Sequence, residues 1–199
     1  MRIAGGAFGG RILKVPKSAA IRPTQDRVRE ALFSMVQGEV AGADFLDLFA
    51  GSGAVGLEAL SRGAASVTFV ESNPRHLAVL TENLFSLLPP PQLQTPNSKL
   101  ATAIPPPSSL VCADCYRGLS TYAGAGFSMG FADPPYALGE ERGYASVLAT
   151  LAARGAIRPG GLFIAEMTAA QGAEETPGWE VVRDRTYGKT RICIWRRAK

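Results

Sequence analysis

The tetrapeptide Asp133-Pro134-Pro135-Tyr136 follows the apolar run Phe127–Ala132, so a carboxylate, two stiff residues and an aromatic ring stand at the end of a strand-like segment. Proline holds φ near −65°. The Asp133 carboxylate and the Pro134 carbonyl can therefore aim at one point while Tyr136 offers a flat ring on which a base can stack. Two acceptors at one point suit an exocyclic amine on a nucleobase. The lone pair of such an amine is delocalised into the ring; acceptors on its two hydrogens favour rehybridisation as it attacks a methyl group, and the gain is largest in the transition state. Taken alone, the same tetrapeptide is also a proline-rich turn whose Asp caps a helix.

A second cluster supplies the other half of such a reaction. Gly51-Ser52-Gly53-Ala54-Val55-Gly56 comes directly after the strand-like Phe45–Phe49 and opens a helical pattern, which is the context in which G-x-G-x-x-G lets a backbone approach a nucleotide. Glu71 lies 20 residues after Gly51, at the end of the next apolar strand, where a carboxylate can accept from ribose hydroxyls. Motif and acid together are compatible with NAD or S-adenosylmethionine. Asp47, inside the strand and four residues before Gly51, would repel a pyrophosphate and suits a cationic sulfonium ligand. Asp114, after Leu110–Ala113, is placed either to meet an adenine amino group or to cap the next helix.

These residues need a scaffold that carries strand ends to one place. Segments 45–49, 66–71, 110–113, 127–132 and 161–167 have strand character and alternate with helical patterns over 54–61, 74–87 and 144–154. Repeated β-α-β units predict a parallel sheet with helices on both faces and ligands beyond the strand carboxyl ends. A helix from Thr24 is expected to stop at Gly38, and Gly5, Gly6, Gly9 and Gly10 suggest a short hairpin or a mobile arm. Trp179–Arg185 and Thr190–Arg196 alternate around Tyr187-Gly188 as an antiparallel hairpin. Residues 89–109 hold seven of the 14 prolines and predict a mobile surface loop. One domain over 1–199 is expected, with a basic arm and helix at 1–38 and a Rossmann-like core at 39–199 that carries this loop.

Charge is segregated along the chain. The overall formal charge is +4, but residues 1–30 carry net +5, residues 183–199 net +6 and the stretch between them −7. Two basic ends that converge would form a face for a polyanion, with Arg11, Lys14, Arg22, Arg27, Arg196 and Arg197 as candidate contacts; solubilising tails are the alternative. Three cysteines are too few for a disulfide framework, and no bilayer span or signal-peptide core is apparent, so a cytoplasmic protein is expected. With His76 the sole histidine, neither a zinc site on Cys112 and Cys115 nor a Ser-His-Asp hydrolase is expected.

Asp47-Leu48-Phe49-Ala50-Gly51-Ser52-Gly53 followed by Asp133-Pro134-Pro135-Tyr136 resembles the class I S-adenosylmethionine-dependent amino-methyltransferases. Arg22-Pro23-Thr24-Gln25-Asp26-Arg27-Val28-Arg29-Glu30, then Gly56–Ala64 and Arg185-Thr186-Tyr187-Gly188, is similar more narrowly to the bacterial RsmD-like family, and the resemblance covers nearly the whole chain. It implies a mostly parallel seven-stranded sheet with an antiparallel C-terminal hairpin, a monomer, no metal and methylation of guanine N2 in 16S ribosomal RNA, free or in a small-subunit particle. It further implies that the glycine turn with Gly51 and Gly53, Asp47 and Glu71 hold the cofactor, Asp114 its adenine, and Asp133, Pro134 and Tyr136 the guanine, with the segment Arg22–Arg29 touching either the cofactor's methionyl end or RNA phosphate. The proline-rich 89–109 departs from the family, which has a short connection there. A DNA amino-methyltransferase shares the tetrapeptide, an NAD-dependent oxidoreductase shares the glycine turn, and a non-catalytic RNA-binding module would need neither.

Overall fold

The computed structural model describes residues 1–16, 23–88, 108–134, 136–173 and 175–199, with the main chain alone for 23–25 and 136–142. Arg22 and nearly all of the proline-rich segment lie outside these residues, although Ser108 and Ser109 already belong to a strand. The elements run α1 (Pro23–Met35), α2 (Gln37–Val40), β1 (Asp44–Leu48), α3 (Ala54–Ser61), β2 (Ser66–Glu71), α4 (Pro74–Leu87), β3 (Ser108–Cys112), α5 (Cys115–Ser120), β4 (Phe127–Ala132), α6 (Tyr136–Ala153), β5 (Ile157–Thr168), β6 (Trp179–Tyr187) and β7 (Thr190–Arg197).

Seven strands form one sheet in the order β3-β2-β1-β4-β5-β7-β6. The pairs from β3 to β5 are parallel, while β7 runs antiparallel to both β5 and β6. The mixed, mostly parallel sheet expected from the alternation is therefore present. Successive strand residues point to opposite faces, and here both faces are covered. Phe45, Phe131, Ile164 and Ile194 join Val28, Leu32, Leu57 and Leu80 from α1, α3 and α4. Leu46, Ala132, Phe163 and Trp195 join Leu119, Leu148 and Leu151 from α5 and α6. A large apolar side chain removed from water in this way stabilises the fold by roughly 1.5–3 kcal/mol.

Two local readings are corrected. The first helix breaks at Val36, whose φ of −113° and ψ of 15° are not helical, and Gly38 sits inside the short α2 instead of ending α1. The strand expected over 161–167 begins earlier, at Ile157, and holds Pro159-Gly160 within it; Phe127 pairs with Ile157 and Met129 with Leu162, and the extra residues form a bulge. The helix expected from Tyr144 is present; Gly143, with φ of 63° and ψ of 160°, separates it from a further helical run that begins at Tyr136, and the two together are α6.

The glycine-rich N-terminus is a hairpin held against α3. Arg2 bridges Ile12, and Ile3 N–H donates to the Arg11 carbonyl at 3.0 Å. The main-chain N–H groups of Ala4 and Gly5 donate to the Glu58 carboxylate at 2.7 and 2.9 Å, and Phe8 N–H donates to Ser61 Oγ at 2.9 Å. Glu58 is fully buried, and its charge is met by Arg62 at 2.8 Å and Arg29 at 3.5 Å.

Candidate active site

The carboxyl ends of β1, β4 and β5 open into a cavity of about 190 Å3 whose wall includes Asp47, Phe49, Gly51, His76, Asp133 and Glu166. Met1 and Arg29 close it from the side of the arm and α1. This is where the topology of an open α/β sheet leaves a crevice, because the connections from neighbouring strands diverge to opposite faces.

The glycine turn is built by packing as much as by chain flexibility. Gly53 has φ +80°, and a Cβ on it would stand 2.9 Å from Leu80 Cγ. A Cβ on Gly56 would stand 2.3 Å from the Phe69 ring, so only glycine lets α3 lie this close to β2. Phe49 is the sole non-glycine residue with positive φ, at 59°, among the described residues. Its N–H donates to Cys115 Sγ at 3.2 Å and its ring meets Tyr116 edge-on at 5.7 Å, which hold the strained turn in place.

Asp47 is 1% exposed and accepts from Gly56 N–H at 2.9 Å. Burial pushes its pKa up to about 7; the Gly56 donor opposes that rise, and the nearby charges of Asp133 and Glu71 add to it. A cation entering the cavity would relieve this strain. Glu71 acts differently from the expectation of a carboxylate simply facing ribose. One of its oxygens accepts from Gly51 N–H at 2.8 Å and the other from Asn73 N–H at 2.8 Å, tying the glycine turn to the start of α4. A carboxylate has about four acceptor positions, so two stay available beyond these bonds.

Asp133 is half-buried and Pro134 buried at the end of β4, with Asp133 in the cavity wall. Tyr136 starts α6, and its side chain is outside the described residues. Asp114 is exposed, caps α5 by accepting from Arg117 N–H at 3.0 Å, and lines a separate recess with Tyr116, Arg117 and Ser120. The cap explains its position at the helix start; the structure does not bring it into the cavity with Asp47.

Three wall residues escaped the motif reading. His76 stands in the first turn of α4, with Nδ1 3.7 Å from Glu71, a position that the Asn73-Pro74 helix start could have signalled. Phe49 lies between two motif residues and Glu166 near the end of a strand, so both were legible as strand-end positions. Arg29 lies in the segment 22–29, open in the sequence to either the cofactor's methionyl end or RNA phosphate, and it stands in the cavity wall. Its guanidinium is 4% exposed and bonds to the Arg2 carbonyl and, at 3.1 Å, to Asp26, while its buried Nε has no hydrogen-bond partner among the described residues.

The candidate polyanion contacts separate. Arg11 bonds to the Ser86 carbonyl at 2.8 Å and Lys14 to Glu82 at 2.8 Å, whereas Arg27 is exposed. Arg196 bonds to the Gly160 carbonyl and to both oxygens of Glu39, and Arg197 to the carbonyls of Ile157 and Ala152. Arg196 pairs in register with Leu162, toward the amino end of β5 and away from the cavity. The two C-terminal arginines therefore staple strands together at the end of the sheet opposite Asp133.

This strand order, the antiparallel β7 and a cleft at the strand carboxyl ends define the Rossmann-like fold of the class I S-adenosylmethionine-dependent methyltransferases. A family model described as conserved hypothetical protein 95 matches residues 1–196, and the chain belongs to that family, the one to which the RsmD-like resemblance pointed. The chain is 32% identical over 99% of its length, and 99% of that protein's, to YlbH of Bacillus subtilis, provisionally named an rRNA methyltransferase. It is 51% identical over 87 residues to ribosomal RNA small subunit methyltransferase D of Escherichia coli. That match spans 44% of this chain and 44% of the relative, less than half of either. The solved structure of YhhF from Escherichia coli, a provisionally named methyltransferase, superposes with a TM-score of 0.79 at 32% identity, covering 100% of this chain and 98% of that one.

Proposed function

We propose that this chain methylates the exocyclic N2 amine of a guanine in 16S ribosomal RNA of the small subunit, with S-adenosylmethionine as methyl donor. The observation that carries the reading is the joining of Asp47, Asp133 and the glycine turn in one cavity at the strand ends. Similarity to proteins named for rRNA methylation supports the substrate class.

The site also fits the donor physically. Gly51 lines the cavity with only the Phe49 carbonyl oxygen, at 3.9 Å, near its Cβ position, and Arg29, whose Nε lies 3.5 Å from Glu58, stands in the same wall as the acidic Asp47. A ligand with an amino-acid end satisfies both, its carboxylate at Arg29 and its ammonium toward Asp47. When bound, S-adenosylmethionine supplies a methyl group activated by a sulfonium. Glu71 keeps the Gly51 N–H in position and offers its remaining acceptor sites to the ribose. Asp133 and the Pro134 carbonyl hold the two amine hydrogens, so the nitrogen lone pair turns out of conjugation, and the carboxylate stands where the departing proton is released. Tyr136 stacks on the guanine.

The guanine must leave its helix to reach Asp133, because the cavity admits a base and not a duplex. Asp133→Ala is the test. Methyl transfer to undermethylated small-subunit RNA should fall by about a hundredfold or more, the scale for losing one pre-organised polar group, while S-adenosylhomocysteine affinity stays within a few-fold. Near-normal turnover in that variant, or a label mapped to a ring carbon instead of an amine, overturns the reading.

A further inference from the structure

We propose that the RNA backbone is carried on a basic rim formed by Arg2, Arg27, Arg185 and Lys189 at the cleft end of the sheet, above a floor that is acidic. The inference rests on the rRNA reading above and replaces the C-terminal arginines as the phosphate contacts.

The placement follows from register. Arg185 pairs with Ile192, and Ile192 pairs with Glu166 in the cavity wall, so the three residues form one row across β6, β7 and β5. Neighbouring strands lie 4.7–4.9 Å apart, which puts the Arg185 backbone about 10 Å from that of Glu166. Tyr187 pairs with Thr190 and Thr190 with Thr168, so the turn that carries Lys189 stands still further toward the carboxyl end of β5. Arg196, in register with Leu162, is four residues, or about 13 Å, in the opposite direction. On the other side of the cavity Met1 is part of the wall and the neighbouring Arg2 passes its carbonyl to Arg29. Arg27 precedes Arg29 on α1, exposed where Arg29 is buried.

Availability separates the same residues. Arg11, Lys14, Arg158, Arg191 and Arg196 are all engaged by carboxylates or main-chain carbonyls elsewhere in the fold. Arg2, Arg27 and Lys189 are exposed and have no ion pair among the described residues; Arg185 bonds only to the carbonyl of its neighbour Asp184. Beneath them the floor collects Asp47, Asp133 and Glu166. Such a floor attracts a cationic donor and an amine but repels phosphate. Positive charge at the rim and negative charge within it thus sort the substrate, with the backbone outside and one unstacked base inside.

The test compares charge removal at the two ends of the sheet. Binding of an unmodified 16S RNA transcript is measured by anisotropy across a salt series, with S-adenosylhomocysteine calorimetry as the check on the site. Each phosphate contact contributes about 0.7 to 0.9 to the slope of log affinity against log salt. Arg27→Ala/Arg185→Ala/Lys189→Ala should flatten that slope by about two and weaken binding tenfold or more at moderate salt, with the S-adenosylhomocysteine affinity unchanged. Arg196→Ala/Arg197→Ala should lower the melting temperature and leave the slope alone. Lys189→Glu, on an exposed turn, repeats the test without touching a packed residue and should weaken RNA further than Lys189→Ala. A wild-type slope in the triple variant and in Lys189→Glu overturns the rim while the rRNA reading stands. A wild-type protein that binds the transcript with no salt dependence and does not methylate it overturns both.

Discussion

Asp47 shows how a side chain that costs stability can serve a site. Its pKa is raised by burial from 3.8 to about 7, so the native state holds its proton more tightly than the unfolded chain does. The contribution to stability is therefore full below pH 3.8 and is lost as pH rises through about 7. Asp47→Asn keeps an acceptor for Gly56 N–H and carries no charge. It should raise the melting temperature of the ligand-free protein most at pH 8, less at pH 5 and least near pH 3.8, and weaken S-adenosylmethionine at pH 8. In the unsubstituted protein, calorimetry should find that affinity rising from pH 6 to 8; a flat profile removes Asp47 from the cation's surroundings. Arg29 is tested by splitting the ligand. Arg29→Lys should weaken S-adenosylhomocysteine tenfold or more, in line with roughly 1.5–3 kcal/mol for a hydrogen bond to a charged group, yet leave methylthioadenosine, which lacks the amino-acid end, within twofold. Equal losses for both ligands would make Arg29 a purely structural clamp. At Glu71 both oxygens accept main-chain N–H groups, so Glu71→Gln must turn an NH2 toward one of them, and calorimetry should show it weakening S-adenosylhomocysteine nearly as much as Glu71→Ala.

At the scale of elements, the N-terminal hairpin has no core of its own and depends on α3. Ile3 and Leu13 reach the common apolar layer, but the fixed points are the two N–H groups on Glu58 and the bonds to Ser61. Glu58 is also the charge that balances Arg29 and Arg62. Removing one partner of a buried ionic cluster leaves the others uncompensated, at a cost of about 3–5 kcal/mol. Glu58→Ala should lower the unfolding free energy by that order and expose residues 1–16 to limited proteolysis before the core is cut. Resistance equal to the parent protein would show that apolar contacts alone hold the hairpin. The same dependence explains why the chain pattern left hairpin and mobile arm open: the four glycines are visible in the sequence, but the carboxylate that receives the N–H groups of Ala4 and Gly5 is more than 50 residues away.

At the scale of the whole molecule, the proposed function and the proposed rim divide charge between an acidic cleft floor and a basic edge, so that RNA would be recognised by its form. In that reading the rim groups meet phosphates, which carry no sequence information of their own. A short single-stranded oligomer bearing the target guanine should therefore have a KM at least tenfold above that of the folded 16S transcript, measured with labelled S-adenosylmethionine; equal values would place recognition inside the cavity. The strand and helix alternation, the glycine turn, Asp133 and the final hairpin could all be read from the chain because each depends on neighbours within a few residues. Periodicity, a strand-to-helix turn and a proline-fixed carboxylate are local devices. Asp114 could be read two ways for the same reason, since a helix cap and a ligand contact begin from the same strand end. What the chain order could not decide was distance between remote parts. The basic termini summed to a convincing charge, but β7 runs antiparallel, so the last arginines go to the far end of the sheet and the turn before them to the near end. Strand direction and pairing register are tertiary properties, and they determine which charges a phosphate backbone at the cleft can reach.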